Sequence, residues 1–256
     1  MTTRGVTFSE LDPPGAPLPK PSGRDVHLWA VDLDTGRAQV ARLAKLLSND
    51  ERQRAERFHF DRDRRRFIVA RGALRTLLGL QAQLSPSRVT FAYGPKGKPS
   101  LTHAPDLHFS LSHSSEQAVI ALTFGGPVGV DIEQLREIED AEDLARRFFS
   151  PQEVESFLSI AAERRGRAFF NCWTRKEAFV KALGEGLSLA LDSFDVSLSP
   201  GEPARLLAID GEPQKAQQWC LTRLDLGTDF AGTLATRWSP PTVAAWRLPP
   251  QSPGVG

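Results

Sequence analysis

"WTRKEAFVKALGE", residues 173–185, and "IVARGALRTLLGL", residues 68–80, decide how this chain is read. Both place apolar residues at helical spacing, and both stop at a glycine, Gly184 and Gly79. Two more pairs extend the likeness. "AVDLDTG" (30–36) resembles "GVDIEQL" (129–135), and "LLSNDERQRAERF" (46–58) resembles "FFSPQEVESFL" (148–158). The offsets are 99, 102 and 105 residues, in order. That is the signature of an internal repeat. The fold it predicts is α+β: two similar lobes, each a strand followed by helices and further strands. A cleft between such lobes is a natural ligand site. The copies differ where it matters. Opposite Glu177 the first half has Gly72, and opposite Lys181 it has Thr76.

Around this repeat the pattern gives a strand at 26–33, helices at 37–47, 49–58 and 62–79, and a strand at 88–93. A Gly/Pro loop at 94–99 leads to strands at 107–112, 117–124 and 128–133. Helices at 140–148, 151–163 and 167–184 precede strands at 193–198, 204–209, 217–225, 229–236 and 242–248. Ser48/Glu51 and Ser150/Glu153 have the spacing of capping boxes. Residues 1–24, with Pro13, Pro14, Pro17, Pro19 and Pro21, read as an extended arm and not a packed element. The lobes are expected at 25–127 and 128–248, with a tail at 249–256.

Of the 256 residues 40% are apolar and 25% charged, and the net charge is +1, so no global field points to nucleic acid or a membrane. No apolar run approaches the ~20 residues that span a bilayer, and the first residues show no signal pattern. Cys172 and Cys220 sit in apolar contexts and read as small buried hydrophobes. The expected compartment is cytoplasmic. Arginine outnumbers lysine 25 to 7, and four of the lysines fall in two clusters, Lys96/Lys98 and Lys176/Lys181. Ammonium and guanidinium bind anions differently, so these clusters mark places where Arg would not do.

In "GVDIEQL" strand alternation puts Asp131 and Glu133 on one face and Val130 and Ile132 on the other. Two carboxylates ~7 Å apart along a strand repel unless a cation intervenes. Alone, they read as a solvated face. Trp173, Glu177, Lys181 and Gly184 form one helical stripe, and Cys172, Phe179, Ala182 and Leu183 a core-facing one. Alone, Glu177 and Lys181 are an i,i+4 pair worth ~0.3–0.5 kcal/mol. If the helix lies beside strand 128–133, Asp131, Glu133 and Glu177 converge. An all-oxygen site of that kind suits Mg²⁺, or Mn²⁺ in its place, with a substrate phosphate completing the shell. No His/Cys cluster has zinc spacing.

Three further stretches join this set. "YGPKGKPSL" (93–101) reads either as a connecting turn with solvated lysines or as a loop whose backbone approaches a ligand. In "HFSLSHSSE" (108–116), Ser110, Ser112 and His113 end a strand, as caps or as contacts to a phosphate or ribose. A Ser-His hydrolase is disfavoured, because there is no Gly-x-Ser-x-Gly elbow. Arg52, Arg54, Arg57, Arg62, Arg64, Arg65, Arg66, Arg71 and Arg75 make a cationic helical region, tempered by Glu56, Asp61 and Asp63. It is a solvated face, an anion trap or a dock for an acidic partner.

"GVDIE" with "WTRKEAFVKALGEGLSL" resembles the paired motifs of the two-lobed, Sfp-type 4′-phosphopantetheinyl transferases. "YGPKGKPSL", "FSLSHS" and "RRFFSPQE" resemble further motifs of that family, in family order across 93–189. The resemblance implies transfer of phosphopantetheine from coenzyme A to a serine of an apo acyl or peptidyl carrier protein, releasing adenosine 3′,5′-bisphosphate. It implies a pseudo-dimer of lobes with the active site in the cleft, Mg²⁺ held by Asp131, Glu133 and Glu177, and Lys181 with Lys176 neutralising the bridging phosphates. Glu177, or a metal-bound water it orients, would be the base. His113, Ser112 and Arg66 would contact the coenzyme A phosphates, and Lys98 with the turn at Gly94–Gly97 the nucleotide end. The family's first basic position falls on Glu51. Arg54 fits that role better, and Arg52 remains open. The partner would be an acidic carrier, with no nucleic acid and no membrane involved, and the protein a monomer. Two other readings stand beside this one. A metal-dependent nuclease typically sets Glu and Lys two apart on a strand, whereas here they are four apart on a helix. A binding module for nucleic acid or an acidic protein would survive loss of Glu177.

Overall fold

The computed structural model describes residues 5–11, 18–94, 96–184, 186, 189–238 and 240–248. Pro13, Pro14, Pro17, Pro95, Leu187, Ser188 and the expected tail at 249–256 lie outside the described residues. The strands are β1 (Val6–Thr7), β2 (Asp25–Asp32), β3 (Phe91–Tyr93), β4 (Pro99–Leu101), β5 (His108–Ser114) and β6 (Gln117–Thr123). They continue as β7 (Val128–Gln134), β8 (Phe194–Val196), β9 (Leu206–Ile209), β10 (Cys220–Asp225), β11 (Phe230–Thr236) and β12 (Thr242–Arg247). The helices are α1 (Arg37–Ala44), α2 (Asn49–Glu56), α3 (Asp61–Ala82), α4 (Ala141–Phe148), α5 (Pro151–Ser159), α6 (Ala162–Leu183) and α7 (Pro213–Ala216).

Two four-stranded sheets carry the repeat, ordered β12-β2-β6-β5 and β1-β10-β11-β7. Alternation along their strands builds three cores. Trp29, Val31, Ile120 and Leu122 face α1 and α3 through Leu43, Leu74 and Leu77. Ala231 and Ala235 meet Phe179 and Ala182 of α6 in the second half. Val26, Leu28, Val119 and Ala121 of the first sheet meet Val128, Val130, Ile132 and Leu234 of the second. The sheets therefore pack face to face, with the helices on their outer faces. A strand such as β6, covered on both sides, is apolar along nearly its whole length for this reason.

The chain ends cross between the two halves. β12 pairs parallel with β2, so the strand expected within 128–248 completes the first sheet. β1 pairs parallel with β10, so the expected arm contributes a strand to the second sheet. Ser9 N–H donates to Ala245 O, Arg247 N–H to Ser9 O, and Leu11 is buried. The prolines at 13–21 do not prevent this, because Val6–Thr7 and Ser9 lie ahead of them and offer backbone groups to a sheet edge. The boundary drawn at 127/128 is thus bridged at both ends of the chain.

Both capping boxes form. Each capping glutamate is also buried and paired with a cation of the following long helix. Glu51 takes Arg71 and Arg75, and Glu153 takes Lys176. Arg71 and Lys176 are 105 residues apart, the offset of the repeated helix. Glycine fixes how close α6 lies to β7. A Cβ on Gly129 would stand 2.0 Å from Ala178 O and 2.5 Å from Ala182 N, so only hydrogen permits the contact. α6 closes on Gly184 at φ +81°. Leu183, expected in the core, is exposed because it is the last residue of the helix and the chain turns away at that glycine.

Candidate active site

The contact at Gly129 brings the polar stripe of α6 against the carboxylate face of β7. Lys181 Nζ lies 2.7 Å from Asp131 Oδ1 and 3.0 Å from Ser112 Oγ. Ser112 donates to the same Asp131 oxygen at 2.8 Å, and Ser114 donates to Glu133 Oε2 at 2.8 Å. Asp131 Oδ2 is buried with no protein partner. Burial, then the charges of Asp131 and Glu133, raise the pKa of Glu177, with Lys181 opposing. Burial also raises Glu133, against its bond from Ser114. Lys181 thus makes its ion pair across the seam, with Asp131 of β7.

Among the described residues no group of three or more His, Cys, Asp or Glu stands ready to hold a metal ion. Asp131 and Glu133 of β7 lie close enough to Glu177 of α6 for their charges to act on it. Lys181 answers the charge of Asp131, while Ser114 and Arg136, 3.7 Å away, answer Glu133. The chemistry of the donors still suits a hard cation. All are oxygens, one is buried without a partner, and burial, reinforced by mutual repulsion, holds Glu177 and Glu133 above the ordinary carboxylate pKa.

Two cavities open onto this cluster. One, of about 370 Å³, is lined by Glu177 and Lys181 together with Arg71, Lys96, Lys98 and Phe109. The other, of about 460 Å³, runs from Glu133 and Arg136 to the aromatic wall of Phe148, Phe170 and Trp173. His113 stands at the rim of the cluster. Partial burial, then Lys181 and Arg54, hold its pKa below the ordinary value.

The other expected residues divide. Arg54 lies over the Phe67 ring and close enough to His113 for its charge to be felt there. Arg52 is spent on Asn49 and the Leu47 carbonyl, which favours Arg54 as the cation facing His113. Arg66 grips Asp34 through two bonds of 2.8 and 2.7 Å. Lys98 caps the end of α6, donating to Ala182 O at 2.8 Å and Val128 O at 3.3 Å, and burial lowers its pKa to about 8. Lys176 does not reach the cluster. It is fully buried, 2.7 Å from Glu153, and donates to Leu191 O and Phe194 O. Its position beside Glu177 in sequence puts it ~100° away around the helix, on the core side. Sequence reasoning missed Ser114, Arg136 and the contact at Gly129. The period-two spacing of Ser110, Ser112 and Ser114 was the signal for the first.

A family model described as the 4′-phosphopantetheinyl transferase superfamily matches residues 127–235. A second, described as the N-terminal part of a 4′-phosphopantetheinyl transferase, matches residues 34–124. The 4′-phosphopantetheinyl transferase HetI of Nostoc sp. is 41% identical over 215 residues, 81% of this chain and 87% of that protein. The transferase psf-1 of Bacillus pumilus is 37% identical over 73% of this chain and 79% of its own. Sfp of Bacillus subtilis is 33% identical over 66% and 74%. The chain belongs to the 4′-phosphopantetheinyl transferase superfamily. Among the described residues no helix is long and apolar enough to cross a membrane.

Proposed function

We propose that the protein transfers 4′-phosphopantetheine from coenzyme A to a serine hydroxyl of an apo carrier protein, leaving adenosine 3′,5′-bisphosphate. The observation that carries this reading is the Asp131–Lys181–Ser112 cluster beside Glu133 and Glu177, where β7, β5 and α6 meet. The carrier's hydroxyl forms a bond to the β-phosphorus as the bridge to the α-phosphate breaks. Glu177, or a metal-bound water that it orients, would take the hydroxyl proton. Lys181 neutralises charge on the bridging oxygens, leaving part of its contact with Asp131 to do so. Asp131, Glu133 and Glu177 would hold Mg²⁺, or Mn²⁺, which supplies further charge neutralisation at the pyrophosphate.

The cationic cavity with Arg71, Lys96 and Lys98 suits the nucleotide phosphates; Ser112 is bonded to Lys181 of its wall, and His113 lies within reach of the charges of Lys181 and Arg54. Arg66 joins them if a phosphate displaces Asp34. The aromatic cavity beyond Glu133 suits the uncharged pantetheine arm and the incoming carrier loop. The exposed arginines of α2 and α3 favour an acidic carrier. The test is to incubate the protein with several apo carriers, coenzyme A and Mg²⁺ and weigh the carriers. One added phosphopantetheine is expected, and no gain on any carrier refutes the reading.

A further inference from the structure

β7 ends its sheet, so one row of its backbone N–H groups has no strand to pair with. The row is answered by hydroxyls. Val130, Ile132 and Gln134 N–H donate to Ser110, Ser112 and Ser114 Oγ at 3.0, 3.3 and 3.0 Å. β5 thus runs beside β7 at a constant offset of twenty residues, and three serine side chains do the work of a ladder between the two sheets. Two of these serines have a second bond. Ser112 Oγ–H donates to Asp131 Oδ1 and Ser114 Oγ–H donates to Glu133 Oε2. The third has no such partner, because residue 129 is glycine.

We infer that Ser112 and Ser114 are positioning residues. Each fixes the edge of β7 through a backbone N–H and aims the adjoining carboxylate with the same hydroxyl. This rests on the reading of Asp131 and Glu133 as the cation-holding pair. A hydroxyl that accepts from a backbone N–H has its proton directed away from that N–H, here toward the carboxylate. The ladder thereby couples the seam between the sheets to the geometry of the charged cluster. Ser110 is a built-in comparison, since it carries the structural bond alone.

The experiment compares Ser114→Ala, Ser110→Ala and Ser114→Thr with the unaltered protein. Amide hydrogen exchange at Val130 and Gln134 reads the seam, and Mn²⁺ titration in the presence of coenzyme A reads the carboxylates. Ser110→Ala should expose the Val130 amide and leave Mn²⁺ affinity as it was. Ser114→Ala should expose the Gln134 amide and weaken Mn²⁺ about 10-fold or more, as loss of a partner behind a metal ligand does. Ser114→Thr, which keeps the hydroxyl, should restore both. Equal effects of the two alanine variants on Mn²⁺ would overturn the positioning role. So would free exchange of these amides in the unaltered protein. If that protein binds no Mn²⁺ and also fails to modify a carrier, the cation-site reading falls and takes the positioning role with it, while protected amides would still mark the ladder as structural.

Discussion

Replacing Lys176 by Met removes one ammonium and leaves a chain of similar length in a site with no solvent exposure. Three oxygens lose the ammonium, namely Glu153 Oε2, Leu191 O and Phe194 O, each 2.7 Å from the nitrogen. The cation also leaves the Phe194 ring, whose centroid is 4.3 Å away. Glu153 keeps its bonds from Ser150 N–H at 2.8 Å and Val196 N–H at 2.7 Å, so it stays in place as a buried carboxylate without a counter-ion. Breaking a buried pair on one side costs about 3–5 kcal/mol. Adding Glu153→Gln removes the stranded charge and keeps a capping acceptor, so the double variant should recover about 1–3 kcal/mol of that loss. Urea denaturation of the parent protein and the two variants, compared by midpoint and slope, measures this. A Lys176→Met protein with unaltered stability and a sharply raised KM for coenzyme A would refute the assignment. It would return Lys176 to the phosphates, the role that the family resemblance implies for it.

Gly129→Ala drives a methyl group against Ala178 O and should lift α6 from β7, destabilising the fold by about 3 kcal/mol; a urea midpoint within about 0.5 kcal/mol of the parent contradicts that packing. Lys98 has a folded pKa of about 8 against an ordinary 10.5, so between those values the unfolded chain holds the extra proton and this group's contribution to stability rises with pH. The stability difference between the parent protein and Lys98→Met should therefore grow from pH ~8 to ~10, and a flat difference refutes the burial of its ammonium. Arg66→Ala breaks a pair whose carboxylate is half exposed and should change stability by no more than about 1 kcal/mol. If Arg66 turns to a phosphate during the reaction, the same variant raises KM for coenzyme A, and an unchanged KM removes it from the site.

Much of this was legible in the chain because it is local. The capping boxes at Ser48 and Ser150, the alternation that puts Asp131 and Glu133 on one face, and the stripe of Glu177 and Lys181 follow from backbone periodicity alone. What was hidden depends on distant partners. Helical spacing separates Lys176 from the Glu177/Lys181 stripe, but its partner Glu153 and the oxygens of Leu191 and Phe194 come from distant segments, α5, the turn before β8 and β8 itself. The exchange of β1 and β12 between the sheets leaves no local mark, since parallel pairing joins segments from opposite ends of the chain. The serine ladder showed its period, but not the strand edge it faces.

In the proposed reaction the cluster of Glu177, Lys181 and Asp131 performs the transfer. Single-turnover transfer to an apo carrier by Glu177→Gln, followed by the carrier's mass, tests it most directly. The account predicts a rate lower by about 10²-fold or more with the denaturation midpoint little changed, the loss expected for removing a general base. Transfer by this variant at the parent rate would contradict it.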